Sequence, residues 1–264
     1  MKIDFEKIDS INVDFVIGFG TACRVAAALK RNRLRYFSSP FDWMMNYSLD
    51  AIIPLISNFS EGFFKECAED KNFSLEKNIG IVDKNNGMIS MHDFPNDLPI
   101  EKAPKFFYKK YQRRFSNLNK MLKSGKTICF FTNRQITLNE MQKFISQINK
   151  LYCFKQIYFI NIYDTFNAEI ELYEKFEELG ATYIIYKFND EHRDGREKSK
   201  NPNFWLGNIE YWDTILSKIK LNKKFKYCYK IKKFIFSIRN DFSTNKPHYV
   251  IQILGIRLKF KITL

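Results

Sequence analysis

Apolar residues in this chain fall into short unbroken runs and helix-spaced stripes, with strict alternation confined to the carboxyl end. Val13-Asp14-Phe15-Val16-Ile17-Gly18 is a run closed by glycine and predicts a buried strand. Residues 21–31 predict a helix, and the small side chains of Val25-Ala26-Ala27-Ala28-Leu29 suit close packing. One or two helices are expected over 46–64, with Pro54 near a start or at a break. Residues 71–86 are polar and without period, and 88–91 predict a short strand ending at His92. A basic amphipathic helix is expected over 105–123. Beyond it the pattern predicts a strand over 126–132, a helix over 138–151 and a strand over 155–162. An acidic helix over 168–179 stopped by Gly180, a strand over 182–188 and a helix over 208–219 complete the body. The polar stretch 189–203 reads as a loop of the kind that borders a site.

Strand, helix, strand, helix, strand is the rhythm of a parallel sheet, and strands that are apolar throughout are covered on both faces. The expected fold class is therefore α/β, a three-layer, mostly parallel, Rossmann-like sheet over residues 1–220. The rest, 221–264, reads as an appendage. It comprises a basic helix over 221–240 and a β-hairpin over 249–260 turning near Gly255, with Tyr249, Ile251, Ile253 and Ile256, Leu258, Phe260 apolar at period two.

Charge separates the same two parts. Of the net +14, the stretch from Leu216 to Ile262 carries +12: thirteen Lys and Arg against one acid, Asp241. Lys223, Lys224, Lys226, Lys230, Lys232, Lys233 and Arg239 lie among aromatic and aliphatic residues, a composition suited to an anionic membrane surface or another polyanion. Nucleic acid ranks below a membrane, since no recognised nucleic-acid module is visible. No run of about 20 apolar residues appears, so no transmembrane helix is expected. The first residues lack the apolar core of a signal peptide. The expectation is a cytoplasmic protein whose tail meets the inner face of a membrane. The five cysteines are odd in number, widely spaced and without a Cys-x-x-Cys pair, and only three histidines accompany them. Neither a disulfide framework, a metal site nor a cofactor is expected.

Four segments could carry chemistry. In Gly18-Phe19-Gly20-Thr21-Ala22-Cys23 the glycines follow a strand and precede a helix, which points backbone N–H groups and the positive helix end at one spot. A thiolate at Cys23 would be stabilised by that helix end, so its pKa is expected to fall; otherwise Cys23 is a small packing residue. Ser39-Pro40-Phe41-Asp42-Trp43 is a turn whose Asp42 is a cap or a site carboxylate. In Met91-His92-Asp93-Phe94-Pro95, His92 is a candidate base for Cys23, with Asp93 or Asp42 orienting its ring. In Tyr111-Gln112-Arg113-Arg114, adjacent arginines point about 100° apart on a helix, so one of them can face a site and clamp an anion.

Taken in order, G-F-G-T-A-C-R-V-A-A-A-L, S-S-P-F-D-W-M, M-H-D-F and K-Y-Q-R-R-F resemble a bacterial family of unknown function described as putative papain-like cysteine peptidases. The resemblance spans roughly residues 16–118. It implies Cys23 as nucleophile and His92 as base, with Asp93 or Asp42 as a third member. It also implies a helical lobe joined to an antiparallel sheet or barrel, whereas the periodicity implies a parallel sheet. The last dozen residues resemble tails on bacterial enzymes that build lipopolysaccharide and capsule. Three functions remain in view. One is a cysteine-dependent hydrolase or acyl transferase acting on a peptide or glycan, with Gly18, Gly20 and Thr21 around the oxyanion. A second is a glycosyl- or phosphosugar-transferase using the same turn for a phosphate. The third is a membrane adaptor without catalysis.

Overall fold

The computed structural model describes residues 3–97, 103–166, 168–222, 236–241, 248–253 and 256–261. The chain divides into two compact units, 1–220 and 221–264. In chain order the elements to residue 221 are β1 (Ile11–Val13), β2 (Phe15–Gly18), α1 (Cys23–Arg31), β3 (Met44–Met45), α2 (Ile52–Gly62), β4 (Cys67–Glu69), β5 (Ile81–Asp83), β6 (Ile89–Ser90), α3 (Ala103–Ser124), β7 (Thr127–Thr132), α4 (Leu138–Leu151), β8 (Gln156–Asp164), β9 (Leu172–Glu178), β10 (Ala181–Phe188), α5 (Ile209–Ser217) and β11 (Ile219–Leu221).

The central sheet has the order β2-β7-β8-β10-β9. Its first four strands are parallel, and β9 runs antiparallel along the edge. Successive side chains on a strand face opposite ways, and β7 shows what that does here. Phe130 meets Phe144 of α4 at a centroid distance of 5.3 Å, while Phe131 meets Trp212 of α5 at 5.7 Å. Two consecutive phenylalanines thus serve two helical layers. On one face α2, α3 and α4 join Phe130 and Phe159 in the main core; α1 buries Val25 and Leu29, and α5 buries Trp212 and Leu216, on the other. The fold is three-layer α/β, as the apolar strand runs predicted. The antiparallel arrangement implied by the resemblance is met in a small second sheet, β3-β6-β5-β4, whose β6 falls in the strand expected over 88–91 and whose β5 lies in the stretch expected to lack pattern.

Two expectations need correction. The predicted acidic helix over 168–179 is instead an edge strand, β9, paired with β10 from Leu172–Lys187 to Glu178–Ala181. Leu179 and Gly180 both adopt positive φ, 51° and 74°, the backbone of a two-residue hairpin turn. Phe176 stacks on Tyr183 at 5.2 Å, and that cross-strand packing overrides the helix propensity of the glutamates. In the second unit, β12 (Phe236–Asp241), β13 (His248–Ile253) and β14 (Ile256–Lys261) form an antiparallel sheet. The antiparallel pairing of β13 with β14 is as predicted, the turn at Gly255 lying outside the described residues, but the helix expected over 221–240 is contradicted at 236–240, where the chain is a strand. Arg239 lies in that strand opposite Val250. Lys223, Lys224, Lys226, Lys230, Lys232 and Lys233 lie outside the described residues.

Candidate active site

The turn after β2 is where backbone and side chains crowd most closely. A Cβ on Gly20 would stand 2.8 Å from the Ala22 carbonyl oxygen and 2.8 Å from a Val25 methyl, so only glycine lets the chain fold back onto α1. Gly18 has the same constraint, with a Val25 methyl at 2.6 Å. The turn is fastened from β7 and the loop after it. Thr132 Oγ1 donates to the Phe19 carbonyl (2.8 Å), and the buried Arg134 donates through Nε to Phe19 O (2.8 Å) and through a terminal nitrogen to Gly20 O (3.0 Å). A further Arg134 nitrogen donates to Tyr47 O, and the guanidinium lies over the Tyr47 ring at 4.3 Å. Asn161 of β8 clamps the Arg134 backbone through both amide atoms, at 3.0 and 2.9 Å. Asn133 Oδ1 accepts the Thr21 N–H at 3.2 Å.

This scaffold seats Cys23 as the first residue of α1. Ala22 occupies the cap position, extended and offering no side-chain hydrogen bond, and the first turn holds no acid. The next residue, Arg24, anchors the helix by pairing with buried Asp190 and donating to Trp205 O at 2.6 Å. Asp190 also accepts from Asn208 N–H (2.8 Å) and Trp212 Nε1 (2.9 Å), which ties the 189–208 loop to the helix start.

His92 follows β6 in the small sheet, and Cys23 Sγ lies 3.4 Å from its Nε2. The thiol is half-buried and the histidine exposed. Trp43, at φ 67°, sets its ring edge-on to the imidazole with centroids 6.0 Å apart. Both proposed carboxylates are engaged elsewhere. Asp42 accepts from Arg35 Nε (2.6 Å) and Ser39 N–H (2.9 Å), so it caps the turn. Asp93 accepts from Ser90 Oγ (2.8 Å), Tyr111 OH (2.6 Å) and Lys110 Nζ. Neither carboxylate bonds to the imidazole. Thr21, too, has spent its N–H on Asn133 and is not a free oxyanion donor. Of the arginine pair, Arg113 is exposed, while Arg114 turns inward, donates to Tyr111 OH (2.8 Å) and lies 4.8 Å over its ring.

The electrostatics reverse one expectation. Burial pushes the Cys23 thiol up to about 11; its own backbone N–H opposes this and the Asp93 carboxylate adds to it. Desolvation outweighs the helix end. His92, although exposed overall, is held below its ordinary 6.5 by partial desolvation of the ring, with Asp93 opposing and the Lys110 ammonium assisting. Burial works against the Asp93 charge, yet Lys110 and Arg114 hold its carboxyl below the usual range. Both shifts favour the uncharged forms, a thiol beside a neutral imidazole. Such a pair can act by general base catalysis, with the imidazole receiving the thiol proton as sulfur attacks.

Arg134, Asn133 and Lys110 escaped the sequence reading. Thr-Asn-Arg at the end of β7 was the available signal, because neighbouring parallel strands end on the same side of a sheet and their loops converge there. Lys110 precedes Arg114 by four residues, which places it on the same helical face. Among the described residues no cluster of metal-ligating side chains occurs, and no helix is long and apolar enough to cross a membrane.

No solved structure matches the chain. It is 28% identical over 136 residues to Uncharacterized protein R408 of Acanthamoeba polyphaga mimivirus, an alignment covering 45% of this chain and 61% of the viral protein. The chain thus spans under two thirds of that relative, which is viral and lends no support to a bacterial restriction. A family profile described as "Putative papain-like cysteine peptidase (DUF1796)" aligns with residues 14–155, which include Cys23, His92 and Arg134. That is more than half of the chain, and the protein belongs to this family.

Proposed function

We propose that this protein is a thiol hydrolase or acyl transferase of the peptidase type, with Cys23 as nucleophile and His92 as general base. The observation that carries the reading is the 3.4 Å separation of Sγ and Nε2 at the start of α1. Sulfur attacks a carbonyl carbon while Nε2 takes the thiol proton. The resulting oxyanion lies against the unclaimed amides of the first turn of α1, a preorganised positive end. Collapse of the intermediate expels the leaving group, which takes the proton back from His92, and water or an acceptor releases the acyl group. The family description supports the peptidase reading.

A stoichiometric burst of p-nitrophenol from p-nitrophenyl acetate, with an acetyl group recovered on Cys23, is the expected result. Acetylation spread evenly over the five cysteines would remove the proposal. An electrophilic thiol probe is expected to label Cys23 first, provided His92 is present.

For the second unit we propose contact with an anionic membrane surface, where each Lys or Arg contributes on the order of 1 kcal/mol. Its resemblance to tails of polysaccharide-building enzymes makes a glycan-assembly setting the natural place to look for the substrate. Full-length protein is expected to sediment with phosphatidylserine vesicles at low salt and to lose that binding when 221–264 are removed. Equal sedimentation of both forms would refute membrane contact by the tail.

A further inference from the structure

Behind His92 the structure gathers more positive than negative charge. Arg35, Lys110 and Arg114 surround two buried carboxylates, Asp42 and Asp93. Asp42 is committed to Arg35 and the Ser39 amide, and Asp93 to Lys110, Ser90 and Tyr111. Among the described residues no carboxylate lies within ion-pair distance of Arg114, whose hydrogen-bond partner is the Tyr111 hydroxyl. Arg113, beside it and exposed, likewise has no ion pair there. Lys110 and Arg114 stand four apart on α3, an unfavourable spacing for like charges that brings both to one face. Lys110 spends one N–H on Asp93, and an ammonium has three to give. Its side chain keeps 27% of its surface open. The uncapped amino end of α1, without an acid in its first turn, adds a further positive pole next to the sulfur.

We propose that the Cys23–His92 pair acts on a substrate carrying a carboxylate close to the reacting carbonyl, received by the surplus positive charge of Lys110, Arg113 and Arg114; this rests on the nucleophile and base reading above. The anion would give Arg114, which feels Asp42 and Asp93 only at a distance, a carboxylate in direct contact, and would explain why both acids nearby are buried and pinned. Charge complementarity of this kind raises encounter rate as well as affinity, and salt weakens it.

Two alkylating agents of similar shape, one anionic and one neutral, test the idea on the full chain. Iodoacetate carries the carboxylate and iodoacetamide does not. With either, an S–C bond forms at Cys23, the C–I bond breaks, iodide leaves with the electron pair, and the thiol proton passes to His92. The quantity read is the ratio of the two second-order rate constants at Cys23, located by peptide mapping and compared with the same ratio for mercaptoethanol. At low salt the Cys23 ratio is expected to exceed the mercaptoethanol ratio about threefold or more. It should fall toward it in 0.5 M NaCl, and drop about three- to tenfold in Lys110→Gln. Arg113→Gln changes an exposed residue and should move the ratio the same way without disturbing the fold; the salt series needs no variant at all. A Cys23 ratio at or below that of mercaptoethanol, insensitive to salt, overturns the carboxylate proposal. If alkylation of Cys23 by both reagents is also unchanged in His92→Ala, the dyad reading falls with it; if His92 still matters, the dyad stands and only the substrate class is lost.

Discussion

The helices α1 and α4 each follow one of two neighbouring parallel strands, on opposite faces of the sheet, yet their first turns are built to opposite ends. Thr137 closes α4 with a complete capping box, its hydroxyl accepting the Glu140 amide (3.2 Å) while Glu140 Oε2 accepts the Thr137 amide (2.7 Å). α1 has Ala22 in the same position and leaves its amides to whatever comes near Cys23. A side-chain cap contributes about 1 kcal/mol. The start of α4 is organised for stability; that of α1 forgoes that contribution and instead keeps donors open beside a thiol and an imidazole. Stiffness comes to α1 from outside, through Arg134 beneath the turn and Arg24–Asp190 at its side.

The most severe way to break this contrast is to remove the chemistry. Cys23→Ala and His92→Ala are each expected to lower ester turnover by a factor of about a thousand or more, with Tm moved by no more than about 3 °C in a circular-dichroism melt. Retained turnover in Cys23→Ala would make the open helix end irrelevant to catalysis. Next in size, Arg134→Met removes three hydrogen bonds, leaving the Phe19 carbonyl to Thr132 alone, and is expected to cost about 3 kcal/mol in urea unfolding, together with at least a tenfold loss of turnover. Stability loss without any loss of turnover would mean that the turn holds Cys23 unaided.

A pair of smaller changes sharpens the comparison itself. Thr137→Ala should cost about 1 kcal/mol and leave Cys23 alkylation untouched. Ala22→Asp, at an extended backbone suited to a cap, is expected to stabilise by about 0.5–1 kcal/mol and to slow turnover, because its carboxylate takes the amides and repels the oxyanion. An Ala22→Asp variant that is both more stable and fully active would end the trade-off.

The smallest effect is on pH dependence. With His92 as the proposed neutral base and desolvation holding its pKa below 6.5, turnover is expected to persist below that pH and to fall as acid protonates the ring. Lys110→Gln removes a cation that disfavours the imidazolium and unmasks Asp93, so the acid limb of the kcat/KM profile is expected to move to higher pH. A shift to lower pH would contradict the arrangement of charges around His92.

Much of this was legible beforehand because it rests on local rules. The helix over 138–151 announced itself through its apolar spacing, and the glycine turn before Cys23 through residue types that few other conformations require. The pairing of Cys23 with His92, 69 positions apart, was suggested by the residue types of their two segments and again by the resemblance, while spacing along the chain was silent on it. The acidic helix over 168–179 was misjudged because its glutamates favour a helix locally, while Phe176 on Tyr183 and the Leu179–Gly180 turn decide for a strand. Asp42 and Asp93 looked like catalytic partners because proximity in sequence says nothing about where a carboxylate points.

The sequence by itself determined the parallel core, the closeness of glycine turn and thiol, and the concentration of positive charge at the far end, since each follows from periodicity, sterics or composition along the chain. Only the tertiary structure decided that a small sheet brings His92 to Cys23, that Arg134 braces the turn, and that burial leaves the thiol protonated. Those outcomes depend on desolvation and on hydrogen bonds between distant segments, quantities that exist only once the chain has closed around them.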